Sequence, residues 1–283
     1  MEKLQNCLTS VQEWMFSNKL KLNPDKTEFL LIGAEAQRVK FRNLFPVQLM
    51  GNLVSPAASA RNLGVVFDHN FTLKKHIDNV CRNCNYHLRD FKRIRKHLDI
   101  STATSLANAL VSSRLDYCNS LFSILTDEFL TKLQRVQNSL ARTVTKSRLV
   151  RSADCPSASG LLNRLHWLPI RSRIAFKINL ITYKALNTGL PVYIKEVLQP
   201  RQYERSLRAN DTCMLAKGPL VRKRSGLSSF SVCAPHFWNQ LPQSIQNAPS
   251  VLSFRKHLKT QYFSLPPIFR TNATVDSAFF RPP

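Results

Sequence analysis

The sequence predicts an α+β fold, in which a small block of helix and strands is followed by a mainly α-helical middle and by a Pro-rich, basic, mixed C-terminal region. Three observations support this fold class. Between Leu73 and Leu98 apolar residues recur every three or four positions, which is the period of an amphipathic helix. Before residue 70 the apolar runs are shorter and are bounded by turn residues, as is typical of strands. After residue 150 lie 12 of the 15 prolines, which limit the length of helices.

The N-terminal block is predicted to contain one helix and about four strands. Residues 3–17 carry apolar side chains on one face at helical spacing. Asn23-Pro24-Asp25 is a turn signal, and Gly51-Asn52 predicts a tight hairpin turn. The predicted strands are residues 27–32, 47–50, 53–55 and 62–67.

The middle of the chain is predicted to be helical because its apolar residues keep the helical period. Thr126 or Asp127 is suited to cap the start of the third predicted helix, since both side chains accept hydrogen bonds from free backbone N–H groups. The predicted helices are residues 73–98, 101–118, 127–146 and, after a polar break, 171–187.

The net charge is the strongest departure from an ordinary globular chain. The 283 residues contain 41 Lys and Arg against 17 Asp and Glu, a formal charge of +24. Residues 1–70 hold 8 basic and 6 acidic groups, residues 71–150 hold 14 and 6, and residues 151–283 hold 19 and 5. Such a positive field favours polyanions, which are nucleic acid or an anionic membrane surface.

Composition excludes several classes of protein. No apolar run approaches the roughly 18 residues of a membrane span, and the first residues lack the basic and apolar segments of a signal peptide. Seven Cys in a chain of this length favour reduced thiols over a disulfide scaffold. Only seven Gly, with no GxGxxG or Walker pattern, argue against a phosphate loop. We therefore expect a cytoplasmic or nuclear protein, neither secreted nor membrane-bound, that binds a polyanion.

Two groups of basic residues are the candidates for contact with nucleic-acid phosphates. The first lies opposite the apolar side of the 73–98 helix, where an ordinary solvated face is the alternative. The second lies in a loop-like region of the C-terminal part, which also contains many aromatic residues. Of these, Trp167 and Trp238 are expected to pack inside. The first group is Lys75, Arg82, Arg89, Lys92, Arg93 and Lys96. The second group is Arg201, Arg205, Arg208, Lys217, Arg222, Lys223 and Arg224.

An ordered set of segments between residues 4 and 263 carries a resemblance to a known family. Residues 20–32 (LKLNPDKTEFLLI) and 62–68 (NLGVVFD) are similar to the end of the palm and to the primer-grip hairpin of reverse transcriptases from non-LTR (LINE-type) retrotransposons. The segments that resemble the thumb of this family are 113–120 (SRLDYCNS) and 133–138 (LQRVQN). Those that resemble its C-terminal tail are 165–171 (LHWLPIR), 176–186 (FKINLITYKAL), 230–242 (FSVCAPHFWNQLP) and 253–258 (SFRKHL).

The resemblance implies roles for particular residues. Leu63, Gly64, Val65 and Val66 would form the primer grip, for which the alternative is a buried strand with a bulge. Lys26 would be a vestigial form of the general acid that protonates pyrophosphate in the family, and the alternative is a solvated turn lysine. The implied regions are the end of the palm with the primer-grip hairpin (1–70), the thumb (71–150), a basic C-terminal region (151–265) and a disordered tail (266–283).

The metal site of the family is not expected in these residues. The intact family enzyme would use Mg²⁺, held by carboxylates that include an adjacent Asp-Asp pair. No adjacent Asp-Asp pair occurs in the 283 residues, and Asp127-Glu128 is interpreted as the start of a helix. Cys81, Cys84 and His87 lack the second ligand pair of a structural zinc site. We expect neither a metal nor another cofactor.

The sequence thus predicts a truncated reverse transcriptase, an RNA-directed DNA polymerase by family, that binds RNA or DNA without polymerising. Two alternatives from other classes stay open. One is a basic protein-interaction scaffold with no role in nucleic-acid binding. The other is a retrotransposon remnant without a function.

Overall fold

A computed structural model describes residues 2–41, 47–147, 156–201, 214–216 and 230–264. The chain divides into two compact units, Met1–Asp78 and Asn79–Pro283. Helices dominate the described residues, with two small antiparallel sheets, and this is compatible with the α+β class. The predicted tail, residues 266–283, lies outside the described residues, and the finer division into four regions stays a prediction.

The first unit contains two helices, four short strands and the start of a third helix. A 3-10 turn over Pro24–Lys26 begins at Asn23, whose side chain accepts a hydrogen bond from the Asp25 N–H and confirms the predicted turn signal. The helices are α1 (Glu2–Ser17), α2 (Glu35–Phe41) and α3 (Lys74–Ile94). The strands are β1 (Val47–Leu49), β2 (Asn52–Val54), β3 (Ser59–Asn62) and β4 (Val65–Asp68).

Both sheets are two-stranded hairpins with two-residue turns. Met50 and Gly51 have φ values of 50° and 80°, and Leu63 and Gly64 have values of 46° and 84°. Two successive residues with positive φ match the right-handed twist of a hairpin, and glycine at the second position lowers the cost. The predicted turn at Gly51-Asn52 is therefore one residue too late.

One predicted strand of the first unit is confirmed only in part, and another is wrong. The predicted strand over residues 62–67 is interrupted, because Leu63 and Gly64 form a turn within it. Residues 27–32 form no strand and make only an isolated parallel bridge from Phe29 to Pro56. Since proline has no N–H to donate, a ladder cannot extend through that position.

The second unit is a helical bundle that starts with the larger part of α3. Its central element is a long helix, α8, which packs against the helices before and after it in the chain. The helices are α4 (Ile100–Ala107), α5 (Ser113–Asp116), α6 (Asp127–Thr145), α7 (Ala158–Arg164), α8 (Ile170–Thr188), α9 (Val192–Glu196), α10 (Phe230–Trp238), α11 (Gln243–Gln246) and α12 (Val251–Ser264).

The interior of the second unit follows from helical periodicity. On α6 every apolar residue that the sequence singles out is buried, from Leu130 to Val144. On α8, Tyr183 stacks on Phe254 of α12 with ring centroids 4.1 Å apart, and Trp238 lies 6.0 Å from the same ring. Trp167 is also buried, so the prediction that Trp167 and Trp238 pack inside is confirmed.

The second unit departs from the predicted helices at two places. The predicted helix over residues 101–118 is divided by a π-turn, Asn108–Ser112, which inserts between α4 and α5. The apolar pattern predicts a helix through Leu98, but α3 ends at Ile94 and a 3-10 turn, Arg95–His97, follows. Ile94 is exposed, whereas Arg95 is buried because it lies four residues after Phe91 and seven after Leu88 and so continues the buried side of the helix.

At the start of α6 the cap position is Thr126, one of the two predicted candidates, but its side chain makes no capping hydrogen bond, so the predicted role is not confirmed. None of the helices formed by described residues is long and apolar enough to cross a membrane.

Candidate nucleic-acid interface

A continuous basic surface runs along the exposed side of α3 in the second unit. We call it the α3 basic face and define it as Arg82, Arg89, Lys92, Arg93 and Lys96, all of which are exposed. On the opposite side of the helix the residues Cys84, Leu88 and Phe91 are buried. The amphipathic pattern predicted for this helix is thereby confirmed, and the cations project towards solvent.

The interactions that the described residues make only partly neutralise the α3 basic face. Arg93 forms an ion pair with Asp90 at 3.4 Å, in which the Arg93 side chain is 81% exposed. Arg82 donates a hydrogen bond to the neutral Asn79 side chain at 3.3 Å, and the Arg89 guanidinium lies 5.9 Å from the centre of the Tyr86 ring. An exposed ion pair contributes at most about 1 kcal/mol, so these contacts leave the cations available to a ligand.

The other basic candidates are not part of the α3 basic face. Lys75 belongs to the first unit, where its Nζ donates a hydrogen bond to Ser59 Oγ at 2.7 Å. In the loop-like region Arg201 is described, and its backbone N–H donates to Met214 O at 3.0 Å. The candidates that lie outside the described residues are Arg205, Arg208, Lys217, Arg222, Lys223 and Arg224.

The four residues predicted as a primer grip occupy the β3–β4 hairpin and have different surroundings. Leu63, at the tip, is 83% exposed and is followed by Gly64. Val65 and Val66 are buried, and the Val66 N–H donates a hydrogen bond to Nδ1 of the buried His76 at 3.4 Å. Burial, followed by the charge of Arg61, lowers the pKa of His76 and favours the neutral ring that accepts this bond. Only the tip of the hairpin is therefore open to a ligand.

Lys26 ends the 3-10 turn of the first unit. Its side chain is exposed, and no carboxylate pairs with it among the described residues. Both of the roles considered for this residue, a vestigial general acid and a solvated turn lysine, stay predictions.

The acidic and thiol groups weighed as metal ligands are engaged elsewhere. At the start of α6 the Asp127 carboxylate pairs with Arg171, and the Glu128 carboxylate lies 3.5 Å from Lys132. Burial raises the pKa of the Cys84 thiol to about 12, which disfavours the thiolate that zinc requires. Within the described residues no three His, Cys, Asp or Glu side chains are grouped so that they could hold a metal ion.

A second basic feature, which the sequence analysis missed, is a cleft between the end of α3 and α6. We call it the basic cleft and define it by its charged residues. The sequence contained signals of this cleft. Arg95 continues the helical spacing of the buried Leu88 and Phe91. Arg142 and Lys146 follow Arg135 by seven and eleven residues, which places the three cations on one side of a helix. The charged residues are Lys92, Arg95, Arg135, Arg142 and Lys146.

Arg95 joins the two helices that form the basic cleft. Its Nε and Nη2 donate hydrogen bonds to Val144 O at 3.0 and 2.5 Å, and its Nη1 donates to Leu98 O at 2.6 Å. The side chain is buried, and its partners are carbonyl oxygens rather than a carboxylate. A full positive charge therefore lies in the wall of the cleft.

Polar side chains inside the second unit hold α6 against the start of α8. Gln137 is fully buried, and its Nε2 donates to Leu168 O at 2.8 Å. Gln134 accepts a hydrogen bond from the Ile170 N–H at 2.9 Å and donates to Gln137 Oε1 at the same distance. These amide side chains satisfy the hydrogen bonds of buried backbone groups and fix the position of α6, which carries part of the basic cleft, against the start of α8.

Comparison of the chain with protein-family models, with curated proteins and with solved structures finds no match in any of the three. The function has to be argued from the residues and their surroundings. The resemblance to reverse transcriptases therefore stays a prediction.

Proposed function

We propose that this chain binds the sugar–phosphate backbone of RNA, DNA or an RNA–DNA hybrid without sequence preference, as a segment of a non-LTR retrotransposon reverse transcriptase. The observation that carries the proposal is the α3 basic face. Four of its exposed cations share one side of α3, and Lys96 lies in the turn that follows. The order of the segments that resemble the family supports the assignment to a reverse transcriptase.

The chemistry of the α3 basic face suits phosphates better than bases. Lysine and arginine side chains that project into solvent can follow a charged backbone, whereas sequence is read by side chains placed against base edges in a groove. Several aromatic residues of the C-terminal region, including Tyr183, Trp238 and Phe254, are buried in the core and cannot stack on bases. We therefore expect affinity to depend strongly on salt and weakly on sequence.

We also propose that these residues do not polymerise by themselves. Two-metal phosphoryl transfer needs carboxylates that hold the ions, and the 283 residues contain no adjacent Asp-Asp pair. The test is primer extension by the purified chain with Mg²⁺ and all four deoxynucleotides. Extension that persists through purification would contradict this part of the proposal.

Fluorescence anisotropy tests the binding function directly. Labelled RNA and an RNA–DNA hybrid are titrated with the full chain between about 50 and 200 mM salt. The triple variant R82Q/R89Q/R93Q should lower the log–log salt slope by about 2 for single-stranded RNA, since each phosphate contact contributes about 0.7. The matched control R255Q/K256Q/K259Q removes three exposed cations from α12 and should leave the slope almost unchanged. Equal effects of the two variants would mean that the α3 basic face is not the interface.

One observation favours a second candidate, the protein-interaction scaffold. The helix α1 buries none of its side chains, and Trp14 and Phe16 are 63% and 79% exposed. Exposed aromatic side chains on an amphipathic helix are typical of a surface that packs against another protein. Nucleic-acid binding that is indifferent to the R82Q/R89Q/R93Q variant would favour this candidate.

A further inference from the structure

The basic cleft has the size and the charge of a ligand site. Its volume is about 610 Å³, within the roughly 300–1,000 Å³ usual for ligand pockets. Apart from its five cations it is lined by amide and hydroxyl side chains, and none of its described lining residues is acidic. We propose that the basic cleft is a phosphate-binding site, which takes two or more neighbouring phosphates of a nucleic-acid strand.

The positive charge of the cleft is not compensated within the described part of the chain. The Nε of Arg142 is buried and has no hydrogen-bond partner there. The Arg95 side chain donates its hydrogen bonds to neutral backbone carbonyl groups, those of Val144 and Leu98. A buried donor without an acceptor is unfavourable, and an anion in the cleft supplies the missing acceptor.

The end of α6 would ordinarily repel an anion, because the last carbonyl groups of a helix carry partial negative charge. Here three of those carbonyl groups accept hydrogen bonds from other groups of the chain. Val144 O accepts from Arg95, while Arg142 O accepts from the Ser147 N–H at 3.0 Å and Thr143 O from the Lys146 N–H at 3.2 Å. The unfavourable contribution of the helix end is thereby reduced, and the cations of the cleft determine its potential.

The number and type of the cations select phosphate among common anions. Three of the five are arginines, whose planar guanidinium groups bind phosphate oxygens in pairs. A single carboxylate carries one charge and would leave most of these cations without a partner. Two neighbouring phosphate groups match both the charge and the volume.

The position of Lys92 identifies a strand as the source of the phosphates. Lys92 belongs both to the α3 basic face and to the lining of the basic cleft, so a backbone that follows the face reaches the cleft without a gap. Assigning the occupant to a nucleic-acid strand rests on the proposed function. The affinity of the cleft for phosphate does not, because it follows from the cleft residues themselves.

Two probes and two matched variants of the full chain test the inference. The probes are inorganic pyrophosphate, followed by calorimetry, and single-stranded RNA, followed by anisotropy. The cleft variant R135Q/K146Q changes two exposed side chains, and the control R255Q/K256Q removes one Arg and one Lys from α12. We expect the cleft variant to weaken pyrophosphate binding at least about tenfold and to lower the RNA salt slope by about 1.4. A further variant, R142Q, removes the guanidinium whose buried Nε has no partner among the described residues, and it should also weaken pyrophosphate binding.

The possible outcomes separate the sources of phosphate. Loss of pyrophosphate affinity with an unchanged RNA slope supports a phosphate site that takes free phosphate and overturns the strand as its occupant. Equal losses in the cleft variant and in the control, or no pyrophosphate binding by the unmodified chain, overturn the site. If R82Q/R89Q/R93Q leaves RNA binding intact while R135Q/K146Q abolishes pyrophosphate binding, the proposed function of the α3 basic face fails and the cleft stands.

Discussion

The two units of this chain differ most in how much apolar surface they bury. Among the described residues, six buried apolar side chains belong to Met1–Asp78 and thirty-eight to Asn79–Pro283. Full burial of a large apolar side chain contributes about 1.5–3 kcal/mol, so the second unit has an interior that can support its own fold. The first unit relies on two-stranded sheets, which are marginal in isolation.

Charge follows the same division as burial. Residues 1–78 contain 10 basic and 7 acidic groups, whereas residues 79–283 contain 31 and 10. Like charges on one surface repel each other and destabilise the compact state. We infer that the large core of the second unit offsets this repulsion, so the well-packed unit can carry the larger positive charge.

Cysteine labelling gives the largest expected contrast between the units. Cys7 in the first unit is exposed, whereas Cys84 in the second is buried and has a pKa raised to about 12. At pH 8 the thiolate fraction of Cys84 is then about 10⁻⁴, and the thiolate is the reactive form. We expect iodoacetamide to modify Cys84 at least about a thousandfold more slowly than Cys7, as measured by peptide mass spectrometry over time.

The raised pKa of Cys84 predicts how the free energy of unfolding changes with pH. Because burial raises its folded pKa above that of an unfolded cysteine, about 8.5, the folded state binds the proton more tightly. The stabilising contribution is present below pH 8.5 and is lost as the pH rises towards 12. Labelling of Cys84 at a rate comparable to Cys7 at pH 8 would show that the core of the second unit opens readily.

A truncation in the core tests the comparison through stability. Phe254 is fully buried and stacks on Tyr183, so F254A should reduce the free energy of unfolding by about 3–5 kcal/mol. Leu252 lies on the same helix and is 75% exposed, so L252A should cost less than about 0.5 kcal/mol. Urea unfolding followed by the fluorescence of the buried Trp167 and Trp238 measures both. Similar losses in the two variants would contradict the assignment of the core.

The spacing of apolar residues predicted the long helices, because a helix that buries one face repeats apolar residues every three or four positions. In α6 the residues Leu133, Val136 and Leu140 are all buried as their spacing indicates. The strands were predicted less well, since the pairing of short segments depends on distant partners. Residues 27–32 have strand-like composition, but their partner region begins with Pro56, and no ladder forms.

The basic cleft could not be predicted because it depends on how two helices meet. The spacing of Arg95 after Leu88 and Phe91 places it on the buried side of the helix, but its partner, Val144 O, lies 49 residues away in sequence. A local pattern contains no information on that contact. The α3 basic face, by contrast, depends on the geometry of one helix, and the sequence is sufficient to place its residues on the exposed side.

A buried arginine gives the next contrast between the units. Arg95 in the second unit is buried, while Arg38 in the first is half-buried and donates to Gly33 O at 3.1 Å and to Asn70 Oδ1 at 3.2 Å. Methionine keeps the length of the arginine side chain and removes its donors. We expect R95M to lower protection in native-state hydrogen exchange of the second unit by about 2–3 kcal/mol, because Val144 O loses its partner. R38M should lower protection in the first unit by about 1 kcal/mol, since water can replace the lost donor.

The exposed Lys96, next to Arg95, supplies the control for charge. The variant K96M removes one cation, but no described residue loses a hydrogen bond from that side chain. We expect K96M to change stability by less than about 0.5 kcal/mol. If K96M and R95M have equal effects, the removal of positive charge from the end of α3 is what matters, and the hydrogen bonds of Arg95 contribute little. If R95M alone is destabilised and also loses pyrophosphate binding, Arg95 is a positioning residue that holds α3 against α6 and so maintains the cleft. Rescue of folding but not of pyrophosphate binding at low temperature would then separate its structural contribution from its charge.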